Sequence, residues 1–249
     1  YWDAVMETPT YIALSRQMVL RDQMDVVANN IANASTPGFK AEMMLMSEVD
    51  LPAERGVKLS YVQDFATARD FSPGPLRATG NSLDLAVQGN GFFAVQTPEG
   101  TRYTRVGRFQ LDANGILVTS QGYPVLAGGS TVTISPDDGP VNIAEDGSIS
   151  TDRATGGQQQ QVIGKLDLVD FADPHSLKPA PDNLFIAEGQ PTAATGKIAQ
   201  GMLEDSNVRP ILEMTNLIEV TRNYQAMQRF LDSEHERQRR AINSITSNS

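Results

Sequence analysis

The sequence contains no cysteine, only 2 histidines and only 1 tryptophan among its 249 residues. Disulfide frameworks, cysteine-ligated zinc, iron–sulfur clusters and thiol nucleophiles are therefore excluded. Aromatic residues make up 6% of the chain, which disfavours a large aromatic-lined ligand pocket. Basic residues are few as well: 20 stand against 30 acidic ones, and the net charge is −10. A nucleic-acid partner is not expected, because phosphate contacts need a surplus of lysine and arginine.

Long hydrophobic runs are also missing. Asp, Arg or Gln interrupts every apolar stretch before it reaches the roughly 18 residues that a membrane span requires. Residues 1–16 lack the basic segment, apolar run and small-residue cleavage site of a secretory signal peptide. We therefore expect no membrane insertion and no cleavable signal.

The histidines and acidic residues, which could act in catalysis or metal binding, lack the neighbouring residues that such sites require. His175 lies in a proline-rich stretch, and His235 lies in a charged helical one, where the fourth following position is Arg239 instead of a second histidine. The zinc-protease pattern is therefore incomplete. Acidic pairs such as Glu145 and Asp146 adjoin glycine and fit turn chemistry. The sequence predicts no enzyme, no catalytic, metal or cofactor site and no small-molecule substrate.

Two helices are predicted at the ends of the chain, where residues 11–33 and 211–249 contain no glycine or proline. In each, apolar residues recur at spacings of three and four, which places them on one stripe of a helix. The second series opens with Met214. The stripe residues that we expect to form an interface are Leu20, Met24, Val27 and Ile31 on the first helix and Leu217, Val220, Tyr224, Met227 and Leu231 on the second.

Further apolar residues, among them Val19, Val26, Ile211 and Ile218, lie off these two stripes. A helix with apolar residues outside one stripe needs more than one neighbour. Two arrangements remain open at this point. Either both helices pack on the β domain in one globule, or they become fully covered only by other molecules.

The middle of the chain has β character. Over residues 81–204, apolar residues alternate with polar ones, and glycine-containing turns recur about every 8–12 residues. This pattern predicts an antiparallel barrel or sandwich. Residues 39–80 carry Pro52, Pro73 and Pro75 and fit neither class, so we expect an extended connector there. The predicted fold class is α+β, with residues 1–38 and 205–249 forming one coiled-coil-like domain around the connector and the β domain.

Three asparagines, Asn29, Asn30 and Asn33, cluster where the first helix should end, within the string ANNIANASTPGFK at 28–40. Ordinary helix capping would account for most such clusters. The whole string, however, resembles the N-terminal signature of the bacterial flagellar rod and hook family. LDLAVQGNGFFAV at 83–95, YTRVGRF at 103–109 and the C-terminal helix support the resemblance, which covers essentially the whole chain.

The resemblance implies a fold in which the terminal helices pair as an inner domain and a β domain faces outward. It implies a structural subunit of the proximal rod, which polymerises helically and transmits motor torque for swimming. The implied partners are other copies of the chain, other rod proteins and, during secretion, the flagellar type III export apparatus. The implied location is the periplasmic rod of the basal body. The three asparagines would then bind the backbone of a neighbouring subunit or of the connector.

Two alternatives remain. Within the family, the distal rod is the second assignment. Outside it, a soluble β-domain binding module with helical dimerisation arms would share the same sequence pattern.

Overall fold

The fold is that of a computed structural model, which describes residues 3–52, 58–135, 138–152 and 160–246. The chain divides into two compact units. Residues 1–32, 42–70 and 209–249 form the helical unit, and residues 33–41 and 71–208 form the β unit. The α+β class predicted from the sequence is confirmed. Neither helix in the described residues is both long and apolar enough to cross a membrane.

Two helices and one hairpin make up the described part of the helical unit. Helix α1 spans Asp3–Ala32 and helix α2 spans Pro210–Thr246, with Pro210 in the first turn, where its missing N–H is harmless. At about 1.5 Å per residue, α2 is about 55 Å long. Strands β1 (Glu42–Pro52) and β2 (Lys58–Arg69) pair antiparallel. Helix α1 contacts both strands as well as α2, so it has the several neighbours that its apolar residues required.

The hairpin differs from our expectation of an extended connector over residues 39–80. Its first strand carries the consecutive apolar residues Met43, Met44, Leu45 and Met46 instead of an alternating series. Methionine also has little β preference, so neither signal of a strand is present locally. The predicted connector is divided further, because residues 39–41 and 71–80 belong to the β unit.

The β unit is built from short antiparallel strands. The strands are β3 Leu76–Ala78, β4 Leu85–Gln88, β5 Phe92–Thr97, β6 Gly100–Thr104, β7 Phe109–Leu111, β8 Leu117–Thr119, β9 Leu126–Ala127, β10 Ser130–Thr131, β11 Val141–Ile143, β12 Ser148–Asp152, β13 Gln160–Lys165, β14 Leu168–Asp170, β15 Lys178–Ala180, β16 Leu184–Ile186, β17 Thr192–Ala193, β18 Lys197–Gln200 and β19 Met202–Glu204. The largest sheet in the described residues has six strands in the order β15-β16-β6-β5-β14-β17. Smaller sheets have the orders β11-β12-β13, β18-β4, β19-β3, β7-β8 and β10-β9.

Strand β5 has apolar residues on both faces and so separates two cores. Phe93 and Val95 point into an aliphatic-rich core, whereas Phe92 and Ala94 contribute to an aromatic one. This double burial explains why the sequence of β5 is a continuous apolar run without alternation. The predicted strands over 162–171 and 184–187 are present, and residues 172–183, which we expected to be a loop, contain β15.

Candidate assembly interface

The candidate interface residues of α2 form one face of that helix. Val220 is buried, and Leu217, Tyr224, Met227 and Leu231 are half-buried, whereas most of their neighbours are exposed. Met214, the first residue of the predicted stripe, is 52% exposed. The reason is geometric, because two successive steps of three residues fall about 120° short of two full turns.

On α1, Leu20 and Val27 are buried, and Met24 and Ile31 are half-buried. The two helices contact each other, and the Oγ1 of Thr221 lies 3.8 Å from the Sδ of Met24. The residues predicted on each helix are therefore among the covered positions of one packed unit. A coiled-coil geometry for the pair, and a role for these residues between subunits, stay predictions.

The asparagines have different partners. Asn30 is 1% exposed and binds the backbone of Glu42 twice: its Nδ2 donates to the carbonyl oxygen at 2.9 Å, and its Oδ1 accepts from the N–H at 2.8 Å. Asn29 Nδ2 donates to Glu42 Oε2 at 2.8 Å. Asn33 Oδ1 accepts from the hydroxyl of Thr36 at 3.3 Å, which is a local contact just beyond the helix end.

Glu42 is thus the common partner of the end of α1, and it also binds the end of the hairpin. Arg69 Nη2 donates to Glu42 Oε1 at 2.6 Å, and the two residues face each other in the register of β1 and β2. Burial lowers the pKa of Arg69, and the charge of Glu42 opposes that shift. Sequence reasoning missed Glu42 and Arg69, because no local pattern distinguishes one acidic and one basic residue 27 positions apart.

A second apolar stripe on α2 is not covered within the described chain. Ile211 is 80% exposed, Met214 52% and Ile218 55%. Their spacing of three and four places them on one side of the helix, about 120° from the covered face. Leu14 and Met18 of α1 are also exposed, as are Met43, Leu45 and Met46 of β1. Exposed apolar side chains that share one side of a helix, as Ile211, Met214 and Ile218 do, are typical of a protein–protein contact.

Both histidines are exposed. His175 lies against the ring of Phe71, and His235 lies on α2. Among the residues that the structure describes, no group of three or more His, Asp or Glu side chains could hold a metal ion. The notable chemistry of the helical unit is therefore an apolar surface and a set of hydrogen bonds.

Comparison with known proteins identifies the family. Three family models match the chain: a flagella basal body rod protein model over residues 11–40, the D1 domain of flagellar hook protein FlgE/F/G over 86–151, and the C-terminal region of flagellar basal body rod FlgEFG proteins over 199–244. The flagellar basal-body rod protein FlgF of Caulobacter vibrioides is 42% identical over 248 residues, covering 96% of this chain and 98% of the relative. The chain belongs to the flagellar basal-body rod protein family.

Other members are similar over nearly the same length. FlgF of Salmonella typhimurium is 32% identical over 95% of this chain and 97% of the relative. The rod protein FlgG of Bacillus subtilis is 32% identical over 91% of this chain and 94% of the relative. The family resemblance drawn from residues 28–40 is thereby confirmed, and the first and last matched regions, 11–40 and 199–244, contain the residues of the candidate interface.

Proposed function

We propose that this chain is a structural subunit of the proximal rod of the bacterial flagellum. It assembles helically with copies of itself and with other rod proteins, and the assembled rod transmits motor torque for swimming. Its work is mechanical, without catalysis. The observation that carries the proposal is the uncovered apolar stripe Ile211, Met214 and Ile218 in a chain of the rod protein family.

The stripe has the energetic character of a surface completed by a neighbour. Burying each of its three side chains would contribute on the order of 1–2 kcal/mol, given that each is already partly covered. Similar gains from Leu14 and Met18 would add to this. Such contributions offset part of the conformational entropy lost when two long helices become rigid, so ordering and assembly support each other.

The proposal also includes the export pathway of the subunit and its location in the flagellum. The subunit reaches the periplasmic rod through the flagellar type III export apparatus. Absence of cysteine suits a chain that works in an oxidising compartment. Within the rod, the 42% identity to FlgF favours the proximal part over the distal part.

The substitution Ile218→Asp tests the proposal, because it places one negative charge in the middle of the stripe. Asn223→Asp is the matched control: it adds the same charge on the same helix, at an exposed position off the stripe. Leaving a carboxylate in a closed apolar contact costs more than about 2 kcal/mol, or about 30-fold in association. We expect Ile218→Asp to be lost from purified basal bodies and to abolish spreading in soft agar.

The control should assemble and swim normally, and both purified variants should keep the circular dichroism of the parent chain. Normal assembly of Ile218→Asp would show that the stripe is not an interface. Sedimentation and circular dichroism of the purified parent chain distinguish the rod subunit from the binding-module alternative. A rod subunit should be a monomer with weakly helical ends in dilute solution, whereas the binding module should be a stable dimer with fully helical arms.

A further inference from the structure

A buried charged cluster in the β unit has no part in the candidate interface. It consists of Lys40, Arg105 and Glu204, which we call the junction cluster. Lys40 and Glu204 have side chains 1% exposed, and Lys40 Nζ lies 2.7 Å from Glu204 Oε1. Arg105 Nε lies 3.8 Å from Glu204 Oε2, and its Nη2 donates to the carbonyl of Gly89 at 2.7 Å. Burial lowers the pKa of Arg105, while the charges of Glu204 and Asp170 oppose that shift.

Glu204 joins three segments that are far apart in sequence. Its carbonyl accepts from the N–H of Gly38 at 2.7 Å, and its Oε1 accepts from the N–H of Gly74 at 2.8 Å as well as from Lys40. Lys40 also donates to the carbonyl of Ser72 at 2.8 Å. The ion pair and the backbone carbonyl of Glu204 together therefore hold Gly38, Ser72 and Gly74 close to Glu204.

A second bridge, made by Asn207, joins the same three segments and shares the carbonyl of Ser72 with the first. The Oδ1 of Asn207 accepts from the N–H of Ala41 at 2.8 Å, and its Nδ2 donates to the carbonyl of Ser72 at 3.1 Å. The backbones also approach closely, since a Cβ on Gly74 would lie 2.0 Å from the carbonyl oxygen of Asp205. The three segments are thus held side by side by polar contacts that leave little room for sliding.

The segments that the cluster holds lie close to the points where the chain passes between the two units. The chain passes from one unit to the other after residues 32, 41, 70 and 208. The segment 33–41 follows the first passage and ends at the second, 71–74 follows the third, and 204–208 precedes the fourth. Three of the four passages therefore lie within two residues of Ala41, Ser72 or Asn207, which these contacts hold, and the first passage leads to Gly38 after five further residues.

A buried ion pair is a poor source of stability in itself, because desolvation cancels most of the attraction between its charges. It does favour one geometry, since its hydrogen bonds are directional. We infer that Lys40 and Glu204 are positioning residues, which fix the three segments on the β unit so that force carried along the chain reaches that unit at fixed points. This inference rests on the proposed function, because the force that it invokes is the torque that a rod subunit transmits.

Hydrogen exchange on the purified full-length chain tests the positioning role. In Lys40→Met and Glu204→Gln, the amides of Gly38, Ala41 and Gly74 should exchange at least about 10-fold faster, while the amides of β5 and β6 are unchanged. The matched control is the exposed pair Lys178 and Glu188, which has Nζ and Oε1 2.6 Å apart. Its variants Lys178→Met and Glu188→Gln should leave all these amides unchanged.

Asn207→Ala provides a milder variant that keeps the buried charges paired, and it should speed exchange at Ala41. Unchanged exchange at the three amides would overturn the inference. So would an equal acceleration throughout the β unit, because that result would show a general contribution to stability.

Motility under load tests the mechanical role. Cells with Glu204→Gln should carry rods in normal amount and swim normally in dilute buffer, but should slow more than the parent strain in medium thickened with methylcellulose. A load response equal to that of the parent would refute the inference alone. Absence of the parent chain from purified basal bodies would instead refute the proposed function, and the mechanical role with it.

Discussion

The contact between the end of α1 and the start of β1 depends mainly on Asn30. Replacing Asn30 with alanine leaves both the N–H and the carbonyl of Glu42 without their partner. Each unsatisfied buried group costs about 1–3 kcal/mol, so the two together should cost about 2–4 kcal/mol if part of the loss is recovered by water. Asn29→Ala removes one hydrogen bond, to a carboxylate that Arg69 continues to bind, and should cost about 1 kcal/mol.

Hydrogen exchange at the amide of Glu42 reports this contact directly. With about 1.4 kcal/mol per factor of ten, protection in Asn30→Ala should fall roughly 30- to 700-fold, against about 5-fold in Asn29→Ala. Asn30→Asp is informative too, because it keeps an acceptor for the N–H but loses the donor to the carbonyl. The reasoning is wrong if Asn30→Ala and Asn29→Ala change protection equally, or if Asn30→Ala assembles and swims like the parent chain.

Two further predictions concern the β unit. Gly38→Ala should destabilise the β unit by at least about 2 kcal/mol, because φ is +69° and the new Cβ would lie 2.7 Å from the backbone of Arg105. The control Gly80→Ala has a similar φ of +75° but no atom within 4 Å of the new Cβ, so it should cost only about 1 kcal/mol. Thermal unfolding of the two variants measures the difference. The pKa of Asp112 is lowered, chiefly by the N–H of Ile116, so its ionised form stabilises the turn at neutral pH, and that contribution is lost as the pH falls below 3.8. Asp112→Asn should therefore lower the melting temperature at pH 7, and the difference in melting temperature between variant and parent should shrink as the pH falls from about 4 to 2. If that difference stays constant over this pH range, the carboxylate of Asp112 is not its cause.

The helices were predictable because their information is local. Spacings of three and four residues define the covered face of α2 from Leu217 to Leu231, and the absence of glycine and proline marks its length. The same periodicity also showed that Ile211 and Ile218 lie off that face. Two residues of the exposed stripe were therefore recognisable from the sequence, whereas Met214, which the spacing assigns to the covered stripe, is exposed.

The hairpin over 42–69 was not predictable by the same means. Its strands are stabilised by pairing with each other and by α1, and neither partner is visible in a run of methionines. Where both faces and both edges of a strand depend on distant residues, local periodicity carries little information. The register between Glu42 and Arg69 is likewise a property of the pair.

The string at 28–40 shows why some short motifs are specific enough to identify a family. Asn30 binds the backbone of the hairpin, Gly38 accepts a backbone conformation and a close approach that exclude a side chain, and Lys40 pairs with Glu204 at a separation of 164 residues. Helix capping explains only the local contact of Asn33 with Thr36. Because successive residues of the string serve different distant segments, changing any one of them disturbs a different contact. Residues under so many separate constraints cannot be exchanged freely, and their order therefore identifies the fold better than any single periodic pattern does.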